Sequence, residues 1–424
     1  MKINKWSTLG LVGFLSLGGW VILHQARRAA QGAELMAPEI VLANNSFALS
    51  MYSQLVAIEG NWVFSPVSLH SGLTMSYAGA HGRTAEQMAQ ALCISNNTQT
   101  IHTGYAAILK TLTRPDEDGS EFNVANSIWC QKNLPVVRGF SRLVKEDYAA
   151  TLGLVDFSGA PAQACNAINS LISSHTRGRI PEFLDPGMVG PDTDLVLLNT
   201  VYLKASWQQP FAPEETKMSP FRLLNGGSVL VPMMNWHGQF RLFDGPDVQL
   251  LELPFDVRGL ELLISPPHSV LLPTNRFSMI LLLPKKSDGL LILERGLTAA
   301  QIDKMYAESS MESVWVSLPR FRVSSRLRLN NVLRDMGMSD AFEQARADFT
   351  GISRRRPLFV HDVLHHVWLQ IDERGVEAAS ASAVAYTHSA ADVMFQVNHP
   401  FLFLIRHNPD GAILFMGRIT DPLH

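Results

Sequence analysis

Apolar positions recur at helical spacing over residues 39–58, where Ile40, Phe47, Met51 and Leu55 fall on one face, and this predicts an amphipathic helix. Val63 and Phe64 then read as a short strand. Ser65-Pro66 fits the start of a second helix, with Ser65 as its cap and Pro66 in the first turn. Gly79 and Gly82 punctuate the end of that helix, and Thr84 with Gln87 three residues on predicts a capping box for a third. Far down the chain, residues 359–371 alternate with a period of two. That is a strand, and it sends His365 and His366 to opposite faces. Directly afterwards the pattern collapses: between Gly375 and Ala385 there is one charge, Glu377, and nearly everything else is Ala, Ser or Val.

Such a stretch has too few large apolar side chains to build a core and too little charge for an ordinary solvated tail. Taken alone, a flexible Ala/Ser linker is its plainer reading. It also suits a strand that must slide between two others, because small side chains enter a packed sheet without forcing neighbours off rotamer. Ala has poor strand propensity, so local preference alone would not make a strand here. With Glu377 toward water, Val376, Ala378, Ser380, Ser382, Val384 and Tyr386 would share the buried face.

The 424 residues are 46% hydrophobic and 17% charged, with a formal net charge of −3. That is a globular balance, and near-neutrality gives no reason to expect nucleic acid as a partner. Three cysteines, Cys93, Cys130 and Cys165, are no disulfide framework, so the fold must rest on its core; free buried thiols are expected, with a single bridge as the alternative. Two lysines within residues 1–5 precede an uncharged run over residues 6–23, followed by His24, Arg27 and Arg28. Residues 1–32 read as an export signal cleaved before Ala33, with a retained membrane anchor over 6–23 as the alternative. From residue 33 to 424 no linker or repeat interrupts the chain, which predicts one large domain. Asn44 and Asn96 lie in N-x-S/T sequons, relevant in a eukaryotic secretory route.

The segment NWVFSPVSLHSGLTMSYAGAHGRTAEQMAQAL, residues 61–92, resembles the early helical region of the serpins. Further stretches follow in family order: ANSIW from Ala125, TRGRI from Thr176, LVLLNTVYLKASWQQPF from Leu195 and VPMMN from Val231. LPRFRV from Leu318, MGMSDAF from Met336, ADFTGIS from Ala347 and HPFLFLIRHNPDGAILFMGRITDP from His399 complete the set. The likeness spans about nine-tenths of the chain. Two departures stand out: Leu171 replaces a frequent Trp, and the chain runs long between Pro254 and Phe277, where a surface loop is expected.

The resemblance implies a mixed α+β domain, with three β-sheets, about nine helices and an exposed reactive loop held out as bait for a serine protease. Carried over by motif, the loop spans residues 375–397. Its hinge is Gly375, Val376, Glu377, Ala378, Ala379, Ser380, Ala381 and Ser382, with Val376 in place of the usual Thr. Loop length puts the reactive bond at Ser389-Ala390. In that family the protease forms an acyl-enzyme on the loop. The cut loop then enters the large sheet as a new middle strand, and the tethered protease is distorted. Ser65, Ser68, Asn199 and His365 resemble the polar cluster beneath the parting strands, Trp207 the tryptophan at the top of the sheet, and Glu373 the acidic position at the loop base. The implied protein is not an enzyme, needs no cofactor or metal, and acts as a monomer. Its partner is a protease of elastase-, subtilisin- or chymotrypsin-like specificity: Ser389 suits a small pocket, and a cut at Tyr386 would suit a chymotrypsin-like enzyme.

Other readings carry less. His361, His365 and His366 would need a helix to share a metal, and the alternation of 359–371 argues against one. Residues Arg354 to Arg356 read as a solvated loop ahead of a polyanion site. No G-x-S-x-G, P-loop or H-E-x-x-H sequence occurs to anchor a hydrolase or nucleotide-binding reading. The rival within the resemblance is a non-inhibitory serpin (a carrier, chaperone or storage protein) whose loop is merely a substrate. Charge, bulk or proline in the hinge would mark that class, and apart from Glu377, read toward water, this hinge has none.

Overall fold

The computed structural model describes residues 37–94, 98–113, 121–255, 276–354, 358–376 and 392–424. The expected leader, the long loop after Pro254, the sequon at Asn96, and residues 377–391 with most of the hinge and the Ser389-Ala390 bond lie outside them. No described helix is long and apolar enough to cross a membrane. Nine α-helices and two hydrogen-bonded sheets are present among the described residues.

The predicted first helix forms as Pro38–Leu55 and buries Ile40, Phe47, Met51 and Leu55. Asn44 lies on that same buried face, 1% exposed, with Nδ2 donating to the Ile413 carbonyl at 3.0 Å. Its sequon is therefore closed to glycosylation in the folded chain. Strand Trp62–Phe64 leads into helix Pro66–Tyr77, whose cap is the one expected: Ser65 Oγ accepts from the Ser68 amide at 3.4 Å. A cap of this kind is worth about 1 kcal/mol. Nearly every residue of this helix is buried, so it is a core helix with little amphipathic signal.

The capping box at Thr84 does not form. Its helix, Gly82–Ala91, starts two residues earlier with no side-chain cap. Thr84 Oγ1 and Gln87 Oε1 instead accept from the amides of Asp348 and Asp340, at 3.0 and 2.8 Å. The sequence pattern marks side chains able to bond an amide but does not say which amide.

The larger sheet has nine strands. In order across it run Trp62–Phe64, Ile413–Ile419, Phe401–His407, Phe277–Pro284, Val248–Pro254, Ser228–Asp244, Ser310–Pro319 and Val393–Gln396, with Lys217–Arg222 also paired to Ser228–Asp244. The three expected sheets appear as two hydrogen-bonded ones because Ser228–Asp244 is continuous. Its residues 228–233 pair with Lys217–Arg222, 233–242 with Ser310–Pro319, and 241–244 with the strand from Val248, so one ladder joins two regions.

The smaller sheet orders as Phe321–Arg328, Asp362–Ile371, Leu195–Ser206, Glu121–Gln131 and Thr151–Val155, with Gly375–Val376 paired to Leu195–Ser206. Leu195–Ser206 is buried over most of its length, since both faces are covered. Leu195, Leu197, Val201 and Leu203 enter the main core, while Val196 and Leu198 pack in a second cluster with Ile168 and Ile172 of helix Pro161–His175. Leu171, at the departure from the expected Trp, is half-buried against that second cluster.

Residues 176–194 then strap across the sheet. Arg177 pairs with Glu121 at 2.5 Å, the Arg179 guanidinium lies 5.0 Å above the Trp368 ring, and Asp185 pairs with Arg326 at 2.9 Å. These contacts reach strands on both sides of the seam between Leu195–Ser206 and Asp362–Ile371.

Candidate functional site

That seam is a parallel pairing of limited length. It runs from Asp362↔Val196 to Val367↔Val201 and then stops. Beyond it, residues 368–371 pair outward with 321–324, and residues 202–204 pair outward with 121–123. The two strands diverge, leaving their facing backbone edges unpaired at one end of the sheet. Gly375–Val376 enters this open end, antiparallel to Ser206 and Ala205.

A tight turn delivers it. The Asp372 and Gly375 amides each donate to the other's carbonyl at 3.1 Å, and the Asp372 carboxylate accepts from the Arg374 amide at 2.9 Å. Gly375 has a φ of +120°, and a Cβ there would fall 2.4 Å from the Ala205 carbonyl oxygen and 2.7 Å from the Trp207 nitrogen. Only glycine permits both the dihedral and the approach. Val376 is fully buried, on the face anticipated for it.

Trp207 closes the top of the seam. Its backbone amide donates to the Arg374 carbonyl and its indole Nε1 to the Asp372 carbonyl, both at 2.9 Å, so one residue holds two carbonyls of the turn. The indole stacks on Phe255 with ring centres 4.6 Å apart. Glu373, 6% exposed, accepts from Arg320 at 2.5 Å and from the Thr216 hydroxyl at 2.7 Å. Burial works to raise the Glu373 pKa, but the hydrogen bonds from Arg320 and Thr216 outweigh it and leave it lowered.

A carboxylate with a lowered folded pKa stabilises the native state above its unfolded pKa, and that contribution is lost as pH falls through the folded value. Glu373→Gln should therefore lower the thermal midpoint at neutral pH by roughly 2 °C, a modest effect because half-exposed Arg320 is solvent-screened. The difference should shrink as pH drops below about 4.3, the ordinary glutamate value. Thermal melts of both chains from pH 7 to 3 measure it, and a pH-independent gap would contradict this ionic role.

Beneath the paired part of the seam lies a buried polar network. The Ser65 amide donates to His365 Nε2 at 3.0 Å, and Ser65 Oγ donates to the Leu414 carbonyl at 2.6 Å. Asn199 Nδ2 lies 2.9 and 2.6 Å from the carbonyl and hydroxyl oxygens of Ser68 and also bonds Asn126 Oδ1. Asn126 Nδ2 continues to Ser71 Oγ at 2.8 Å. Asn199 and His365 are register partners on the two parallel strands, so the network straddles the seam.

Burial, with His366 beside it, pushes the His365 pKa down to about 3. The imidazole is thus neutral in the fold and accepts from Ser65. Below about pH 6.5 the unfolded chain binds a proton that the folded chain refuses, so stability falls on acidification. The expected loss is up to ~1.4 kcal/mol per pH unit from this group between about 6.5 and 3. A His365→Asn chain should show a shallower decline in denaturant midpoint across that range. The slope is the readout, and an equal slope would remove His365 as its source.

Ser65, Ser68, Asn199 and His365 therefore meet in one network, while Trp207, Glu373, Gly375 and Val376 meet at the open end. His365 and His366 do point to opposite faces: His366 packs near Phe183, 5.9 Å between ring centres. Arg354 is exposed, and Arg355 and Arg356 lie outside the described residues.

Asn126 and Ser71 were not anticipated, nor was Arg320 as the partner of Glu373. A further cluster also escaped the sequence. Asp392, where the described chain resumes, accepts from Ser313 Oγ at 2.7 Å and from Trp315 Nε1 at 3.2 Å. It lies 3.3 Å from His237 Nε2, and the His237 ring stacks on Trp315 with centres 4.6 Å apart. These residues come from three separate segments, and no local spacing marks them.

The family model for Serpin (serine protease inhibitor) matches residues 42–422. An uncharacterised serpin-like protein of Thermococcus kodakarensis is 35% identical over 388 residues, covering 90% of this chain and 86% of its own. The leukocyte elastase inhibitor of Xenopus laevis is 34% identical over 366 residues, covering 86% and 93% respectively. Uncleaved ovalbumin superposes with a TM-score of 0.79 at 27% identity, over 91% of this chain and all of its own.

Proposed function

This chain belongs to the serpin family, and we propose that it is a serine-protease inhibitor that traps its target by cleavage and insertion of its own loop. The observation that carries this reading is the seam. A two-residue strand is already seated, antiparallel, at the mouth of a parallel pair that separates beyond Val367 and Val201. Residues following Val376 need only extend that strand. Continued insertion would split the parallel pairing and replace it with two antiparallel ladders, one on each side.

In this reading, a protease attacks Ser389-Ala390 and becomes acylated through Ser389. The freed hinge, Gly375 to Ser382, carries only Glu377 as a charge and small or β-branched side chains otherwise, so it enters without burying bulk or unpaired charge. Ser65, Ser68, Asn199 and His365 hold the closed arrangement and exchange partners as the strands part, since a hydrogen-bonded network has discrete alternatives. Trp207 and the Glu373–Arg320 pair fix the turn from which insertion starts. The acylated protease is carried along and its active site deformed. Loss of oxyanion-hole donors slows deacylation by about 10² to 10³ for each donor removed.

A relative named as an elastase inhibitor and the small side chain at Ser389 favour a target with a small specificity pocket, elastase- or subtilisin-like. Incubating the chain with elastase, subtilisin and chymotrypsin should give an SDS-stable adduct with at least one of them. Mass spectrometry of the released peptide should begin it at Ala390. Cleavage without adduct across that panel would assign the chain to the carrier or storage class, whose loop is a substrate only.

A further inference from the structure

Among the described residues, one outward sheet face beside Asp392 is partly exposed and not uniformly polar. Register aligns His237, Trp315 and Met394 in a row across strands Ser228–Asp244, Ser310–Pro319 and Val393–Gln396, so their side chains share a face. Met394 is 47% exposed, beside the stacked rings of His237 and Trp315. Gln239 and Gln396, both exposed, flank this row on adjacent positions. An adaptable thioether and a rigid aromatic pair inside a polar surround have the composition of an interface anchor.

We propose that this row is a second contact surface for the target protease, engaged by the rim of its active-site cleft on the side that receives the residues after the scissile bond. The inference rests on the function proposed above, through the length of chain outside the described residues and where it ends. Asp392 is pinned by Ser313, Trp315 and His237, so the loop leaves the sheet from a fixed point. From Ala390 to Asp392 is two residues, which span at most about 7 Å when extended. A protease with the Ser389-Ala390 bond in its active centre has no room to stand away from this face. Met394, two residues beyond Asp392, and the His237–Trp315 stack beside it are what its rim meets. Asp392 and the stack hold the surface in place, and Met394 supplies its exposed apolar contact.

The test uses the full chain with pancreatic elastase, subtilisin and chymotrypsin. Met394→Asp places a charge on the exposed row and leaves the hinge, the bond and the core untouched. For a protease that forms an adduct with the unmodified chain, the second-order rate of adduct formation should fall about tenfold or more with Met394→Asp, and less with Met394→Ala. The fraction of loop partitioned to adduct and the thermal midpoint should stay unchanged, because insertion is not involved. Rates within twofold of the unmodified chain for every adduct-forming protease would overturn the inference and leave the inhibitory reading standing. A slower rate accompanied by a lowered thermal midpoint would overturn it too, as a packing effect. If the unmodified chain forms no adduct with any of the three enzymes, the inhibitory reading falls first and this contact surface with it.

Discussion

Cutting the chain between Ser389 and Ala390 is expected to raise the midpoint of thermal unfolding by roughly 20 °C. Six register pairs hold the parallel seam now, from Asp362↔Val196 to Val367↔Val201. Inserting the loop gives those up and forms a ladder on each side of a new middle strand, for a net gain on the order of ten backbone hydrogen bonds at about 1 kcal/mol each. Antiparallel pairing is also slightly more stable per residue than the parallel pairing it replaces. A gain of ~10 kcal/mol rivals the whole stability of a domain, and at about 2 °C per kcal/mol it gives the stated shift. Calorimetry of intact and clipped chains at one pH measures it directly. An unaltered midpoint after complete cleavage would mean that no stored free energy exists to act on a protease.

Val376→Arg should convert the chain from an inhibitor into a substrate. Val376 is fully buried and already paired with Ala205, so it passes into the sheet ahead of the rest of the hinge. An arginine at that position must either desolvate an unpaired charge, at a cost of ~3 kcal/mol or more, or hold the entrance open. A barrier higher by that amount slows insertion more than about 100-fold, and deacylation then wins the race. The number of inhibitor molecules consumed per protease inactivated should rise about tenfold or more, with loop cleavage proceeding at its former rate. Val376→Thr keeps the β-branch and nearly the volume, so it should leave that ratio close to its starting value. Titration of residual protease activity reads both variants. An unchanged ratio in Val376→Arg would separate inhibition from passage of this residue into the sheet.

Much of this architecture is written locally. Ser65-Pro66 marks a helix start because a cap and a first-turn proline act within three residues, and the alternation over 359–371 separates His365 from His366 by pleating alone. The Ser65, Ser68, Asn199 and His365 network came through resemblance of the surrounding motifs. Its geometry joins residues 131 and 300 positions apart, which no spacing could reveal. Arg320 was invisible as the partner of Glu373 for the same reason, at a separation of 53. Thr84 and Gln87 show the opposite failure. Their spacing was right for a reciprocal cap, but tertiary neighbours at 340–348 claimed both side chains. The three sheets came from the resemblance as well; hydrophobic runs locate strands without saying where one ladder becomes the next. Ser228–Asp244 carries hydrogen bonding through the junction of two of them, so they form one continuous ladder.

All three cysteines of the chain are free: Cys93 exposed, Cys130 and Cys165 buried. No sulfur bridge therefore staples one half of the smaller sheet to the other, and widening it breaks nothing stronger than hydrogen bonds and ion pairs. Parting of that sheet involves no disulfide whose state would follow thiol redox poise. With no bridge to reduce, a glutathione-rich cytosol would leave the two halves of that sheet as unstapled as they are here.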